Sequence, residues 1–153
     1  MKLRKWYTLL SWSWGLPLNL LGHIIALALI ILGYRPRKWG GALYFVVGEG
    51  WGGISFGSVM IVAADYDTTY VKNHEFGHAI QNCYLGPLCP FIVNIPSFLR
   101  ASYRELIVML GIKKRSELSD YENIWFESQA TKFGHEYISY WEDTKNEKLQ
   151  WHA

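Results

Sequence analysis

The sequence predicts an α+β fold, mainly helical, with a β-hairpin before a central helix and a hydrophobic helix at the N-terminus. Three observations predict it. No charged residue lies between Lys5 and Arg35. Residues 40–64 are rich in aromatic and β-branched residues interrupted by glycines. Later stretches carry helix start and stop signals. At 153 residues the chain suits one small domain with an appended segment. Residues 1–39 form the hydrophobic segment and residues 40–153 the folded domain.

Composition narrows the function classes. Half the residues are hydrophobic and 16% aromatic, while charged residues reach only 18%, short of the usual quarter. The net charge is +2, and the dense basic clusters are Arg35-Pro36-Arg37-Lys38 and Lys113-Lys114-Arg115. Neither is interleaved with aromatics, which argues against a nucleic-acid partner. Cys83 and Cys89 make no C-x-x-C zinc pair, and two packed thiols are the simplest reading. A bridge between them would instead tie the central helix to the loop after it.

Trp12 to Tyr34 is long enough to cross a bilayer as a helix. Trp6, Tyr7, Trp12 and Trp14 crowd one end, with Tyr34 and Trp39 near the other, as interfacial belts do. Basic residues flank both ends, so the positive-inside rule gives no orientation. No small-residue cleavage pattern follows the run, which argues against a signal peptide. The expectation is a membrane protein that meets lipid through residues 12–34. A buried core helix and a helix lying on the membrane surface are the alternatives. His23, inside this run, reads as a packed residue with one satisfied hydrogen bond.

Ala42–Val47 and Ile54–Ala63 read as the two strands of a hairpin around a glycine-rich turn, Gly48–Gly53. A phosphate loop fits less well there, because there is no G-K-[ST] and no helix follows directly. Asp67 is the expected N-cap of a helix from Thr68 to about Leu85, and Gly86-Pro87 is its stop signal. Pro87 to Leu99 reads as a proline-punctuated apolar loop. A helix from Tyr103 to Leu110 follows, closed by Gly111 and the basic trio. Ser119 and Glu122 form an S-x-x-E capping box opening a last helix to about Trp141. The polar end of the chain should fray.

The central helix carries His74-Glu75-Phe76-Gly77-His78, which is H-E-x-x-H. Residues four apart share a helix face, so both imidazoles can reach one metal ion. Glu75 flanks that face and is placed to accept a proton from a water held there. A catalytic zinc takes three protein ligands and leaves one position open. Glu127 is the best third candidate, because Ala130 and Thr131 beside it leave room for a second helix to approach. His135, Glu122 and Glu136 are the competitors. His135 lies about 80° around the same helix from Glu127. No histidine occurs between Gln81 and Leu88, which excludes the longer H-E-x-x-H-x-x-G-x-x-H arrangement.

H-E-x-x-H followed by E-x-x-A on a later helix resembles the gluzincin metallopeptidases. In particular it is similar to membrane-bound zinc peptidases of the CAAX prenyl protease type and their minimal relatives. Glu127, Ala130 and Gly134 match the second motif of that group, and Thr131 stands where the motif has Asp. The resemblance rests on two short motifs and their order. It implies a zincin-like fold, zinc (Zn2+) on His74, His78 and Glu127, Glu75 as general base, and a peptide or protein substrate. In that group the Asp orients a ligand histidine. A threonine hydroxyl accepts the same hydrogen bond without adding charge.

The leading expectation is therefore a membrane-associated zinc metallopeptidase, with an edge of the hairpin pairing with extended substrate. Tyr70, Tyr103 and Tyr121 are equal candidates for stabilising the oxyanion. The alternative is a non-catalytic metal-binding or interaction protein of the same fold. A site-2-type intramembrane protease fits less well, since Lys72, Asn73 and Gln81 make the motif helix polar.

Overall fold

The computed structural model describes residues 2–120 and 123–150. Its order is α1 (Lys2–Ser11), α2 (Leu16–Ile31), β1 (Arg37–Trp39), β2 (Ala42–Val46), β3 (Gly53–Phe56), β4 (Val59–Val62), α3 (Thr69–Leu85), α4 (Ile95–Met109) and α5 (Trp125–Gln150). The class is α+β, with one small mixed sheet.

The apolar N-terminal run does not form one continuous helix. It breaks between Ser11 and Leu16, and the helices on either side meet at 87°. Pro17 sits in the first turn of α2, where a missing N–H costs nothing, so it starts a helix. Among the described residues no single helix is long and apolar enough to cross a membrane, although the bent pair passes that test together. Asn82 Nδ2 donates to the Gly15 carbonyl at 3.0 Å and fixes the bend.

The expected hairpin around Gly48–Gly53 is corrected. The sheet order is β1-β2-β4-β3, with β2 and β4 parallel (Leu43 opposite Val59, Val46 opposite Val62). The tight hairpin joins β3 to β4, with Gly53 opposite Val62 and Phe56 opposite Val59. Gly57, at φ +61°, makes its turn, so the stretch read as one strand, Ile54–Ala63, folds back on itself. The Gly48–Gly53 stretch is a wide connection held to the end of β4. Ala63 N donates to the Gly52 carbonyl, and Ala64 N to the Gly48 carbonyl, both at 2.8 Å.

Residues of β4 alternate between two helical layers. Val59 and Ile61 join Phe45, Ala26 and Leu29 in a core under α2. Met60 and Val62 join Tyr44, Phe76, Ile80 and Ile138 in the larger core under α3 and α5. Gly22 lets α2 lie directly on the Phe56 carbonyl, where a Cβ would collide.

α3 starts one residue later than expected. Thr68 is the N-cap, accepting from Val71 N at 3.2 Å, while Asp67 pairs with Lys72 (2.8 Å) and Arg37 (3.2 Å). Gly86 ends the helix as anticipated. The expected loop over Pro87–Leu99 is helical instead. A 3-10 turn (Gly86–Leu88) and a π-helical turn (Pro90–Asn94) lead into α4, which starts eight residues before Tyr103. Pro87, Pro90 and Pro96 each occupy the first turn of a helical segment, where proline is tolerated, so they open segments that the sequence suggested they break. Glu122, half of the expected capping box, lies outside the described residues, as does Tyr121.

Candidate metal centre

Two backbone contacts set the geometry of the site. α3 and α5 cross so closely that a Cβ on Gly77 would strike the Ala130 carbonyl, and one on Gly134 the Asn73 carbonyl. Small residues at these crossings bring Glu127 on α5 against His74 and His78 on α3.

His74 Nε2 lies 3.0 Å and His78 Nε2 3.4 Å from Glu127 Oε2. The donor atoms of the three residues all fall within 4.8 Å of one another, so the group could hold a metal ion. A tetrahedral site with ligand bonds of about 2.0–2.1 Å has edges of roughly 3.4 Å, close to the two distances from Glu127. Glu127 is fully buried and both histidines nearly so.

Each donor is oriented from behind. With Nε2 turned to the site, His74 Nδ1–H donates to Thr131 Oγ1 at 2.9 Å. His78 Nδ1–H donates to Gln81 Oε1 at 2.8 Å. Gln81 is held in turn, its Nε2 donating to the Phe126 carbonyl (2.7 Å) and Gln129 Oε1 (3.0 Å). Ser97 Oγ, from α4, donates to Glu127 Oε1. Such second contacts fix the ring tautomers and the ligand directions. Ser97 and Gln81 are the members that sequence reasoning missed. Gln81 had a usable signal, three residues after His78 on the same helix face, whereas Ser97 lay in a stretch that read as loop.

Glu75 is 5% exposed, and its Oε2 is buried without a hydrogen-bond partner. A buried carboxylate oxygen left unpaired costs free energy unless something polar joins it. Gly53 at the start of β3 makes room for this side chain, since a Cβ there would sit 2.7 Å from Glu75 Oε1.

Burial pushes the Glu75 carboxyl above the ordinary value, against the opposing pull of His78 and His74. Burial would lower His78, but the Glu127 hydrogen bond and the Glu75 and Glu127 charges outweigh it and raise the imidazole. Burial likewise works against Glu127 ionising. The hydrogen bonds of His74 and His78 outweigh it and hold this carboxyl well below the usual range. The His78 imidazole and the Glu127 carboxylate thus favour each other's charged forms, beside the orphaned oxygen of Glu75.

The competing ligands are elsewhere. His135 is exposed, with its ring 5.9 Å from Tyr70 and Nδ1 3.4 Å from Asn73 Nδ2. Glu136 is half exposed beside Lys132, and Glu122 lies outside the described residues. His23 Nδ1 bonds to the Asn19 carbonyl at 2.8 Å within α2, as expected of a packed histidine. Cys83 and Cys89 are buried free thiols.

The histidines and Glu75 face a cleft of ≈ 660 Å³ between β3 and α4. Gly53, Ile54 and Ser55 form one wall, and Asn94, Ser97 and Ala101 the other. β3 is an edge strand of the sheet. Asn94 Nδ2 donates to the Ser55 carbonyl at 2.8 Å, marking one end of that edge. Of the tyrosine candidates, Tyr70 lines the cleft, whereas Tyr103 does not and is 63% exposed. No protein-family model, curated protein or solved structure matches this chain.

Proposed function

We propose that this chain is a zinc-dependent metallopeptidase of zincin-like fold, similar to the gluzincins, in which His74, His78 and Glu127 hold the ion and Glu75 is the general base. The observation that carries the reading is the convergence of the three donors beside a buried carboxylate oxygen with no partner. When bound, zinc supplies Lewis-acid polarisation of the scissile carbonyl and a lowered pKa for water.

The residues account for the rest. Glu75 Oε2 accepts a proton from the attacking water and returns it to the leaving amine. The edge of β3 binds an extended peptide by main-chain pairing, which places a scissile bond over the histidines. Tyr70 is the cleft tyrosine available to donate to the developing oxyanion. Thr131 and Gln81 keep both imidazoles aimed.

Association with a membrane belongs to the same reading. It is supported by the uncharged run between Lys5 and Arg35 and by exposed Trp12 and Trp14. The alternative, a metal-binding protein without catalysis, draws on Thr131, which orients His74 without the negative charge of an aspartate.

Hydrolysis of a fluorogenic peptide library by wild type, by chelator-treated protein and by Glu75→Gln tests the proposal. Cleavage that chelator abolishes, zinc restores and Glu75→Gln lowers by about 10²–10⁴-fold is expected. Zinc-loaded protein that cleaves nothing would leave the non-catalytic reading standing.

A further inference from the structure

α4 has no buried residue, although it is fifteen residues long and apolar along one side. Ile95, Leu99, Tyr103 and Leu106 lie within about 80° of one another on its outer face, and all four are exposed. The other sides of the helix are committed. Ser97 holds Glu127, and Arg100 and Arg104 bond to the carbonyls of Asp120 and Ser119. A helix with this much apolar surface facing water needs a cover.

α2 has the same design. Gly22, Ala26 and Leu29 pack inward, while Leu20, Ile24, Leu27 and Ile31 on the other side are exposed. The start of α2 and the connection that leads into α4 share a core, because Leu18 packs with Cys89 and Val93. Exposed Leu88 and Phe91 lie on that connection.

Charge identifies the cover. The chain carries no acidic residue before Glu49, and exposed Arg35 and Lys38 follow α2. Exposed Lys113 and Lys114 follow α4. A second copy of the chain would bury the apolar faces but bring like-charged rims together. An anionic bilayer takes up both the apolar face and the basic rim.

We infer that the outer faces of α2 and α4 form one lipid-docking surface, on which the protein lies in the headgroup region of an anionic membrane. This rests on the membrane association proposed above, and replaces a spanning helix with in-plane contact. Phe98, 62% exposed, belongs both to α4 and to the cleft wall, so the docked surface reaches the cleft mouth. The substrate class is then a polypeptide segment presented at the membrane surface.

The full chain is tested by flotation with vesicles of phosphatidylcholine, alone and mixed with phosphatidylserine. An environment-sensitive nitrobenzoxadiazole label is placed at Leu99→Cys or at Leu27→Cys, the native thiols being buried. Expected are flotation with the mixed vesicles, loss of it with added salt, and a blue shift from both labels. Lys113→Glu with Lys114→Glu should weaken partitioning by on the order of 10-fold. An unlabelled wild-type chain that does not float overturns the membrane reading and this inference together. Flotation with an unshifted Leu99→Cys label overturns the inference alone. So does a lipid-free dimer in which that label is already blue-shifted, because the α4 face is then an interface between copies.

Discussion

Thr131 Oγ1 sits 2.9 Å from His74 Nδ1, and four residues earlier on the same helix Glu127 Oε2 sits 3.0 Å from His74 Nε2. One turn of α5 thus grips both nitrogens of a single imidazole. Threonine at this place orients the ring through a hydroxyl that carries no charge.

Thr131→Val should therefore release the back of the ring and cost about 10–100-fold in zinc affinity. Thr131→Asp, which restores a charged acceptor, should bind zinc at least as tightly as wild type. Competition with a chromophoric chelator measures both. An unchanged affinity in Thr131→Val would show that the hydrogen bond does not position the ligand.

The helix crossing is as specific as the ligands. Gly77→Ala and Gly134→Ala each place a methyl group against a main-chain carbonyl that cannot move without shifting its helix. Each should lower stability by about 1–3 kcal/mol in denaturant titration. Zinc affinity should fall in parallel, because Glu127 is carried on the helix that is pushed away.

Much of this centre was legible in the sequence. The motif helix, its glycine stop and the choice of Glu127 over His135 follow from 3.6-residue periodicity and from the small residues at Ala130 and Thr131. The sheet was not legible, because Ile54–Ala63 is rich enough in aromatic and β-branched residues to read as one strand, and Gly57-Ser58 inside it is too short a turn signal to mark the fold-back. Of α4 only the second half was legible, as the expected helix from Tyr103, since Pro87, Pro90 and Pro96 read as breakers until each is seen in the first turn of a segment. Ser97 was lost with the first half. The break after Ser11 was hidden because hydropathy records length and not direction.

The thiols give a prediction that needs no metal. Burial pushes Cys83 up to about 11 and Cys89 up to about 12, so both stay protonated at neutral pH. The thiolate is the reactive form. Native protein at pH 8 should resist iodoacetamide, and both thiols should react once it is unfolded. Mass spectrometry reads the outcome, and rapid native alkylation of either residue would contradict the packing.

Acid should act oppositely on the metal-free and metal-loaded forms. His78 is raised, so its contribution to metal-free stability is full below the ordinary imidazole value and fades as pH rises through the raised one. Glu127 is depressed, so its contribution is full above the ordinary carboxylate value and fades as pH falls through the depressed one. The pair contributes most between the ordinary carboxylate and imidazole values. Glu75 is raised, so it withdraws stability as pH climbs above the ordinary carboxylate value, and metal-free Tm should peak at the acid end of that window. Zinc requires neutral His78, so the stabilisation it adds should begin to fall while pH is still above the ordinary imidazole value. Melting curves across pH with and without zinc check both statements.

The most direct test of the whole account is the zinc content of purified wild type beside Glu127→Ala and Glu75→Gln, read by plasma emission after exhaustive dialysis. One zinc per chain is predicted in wild type and in Glu75→Gln, with loss of zinc in Glu127→Ala. Zinc retained equally by Glu127→Ala and wild type, or lost from Glu75→Gln, would contradict it.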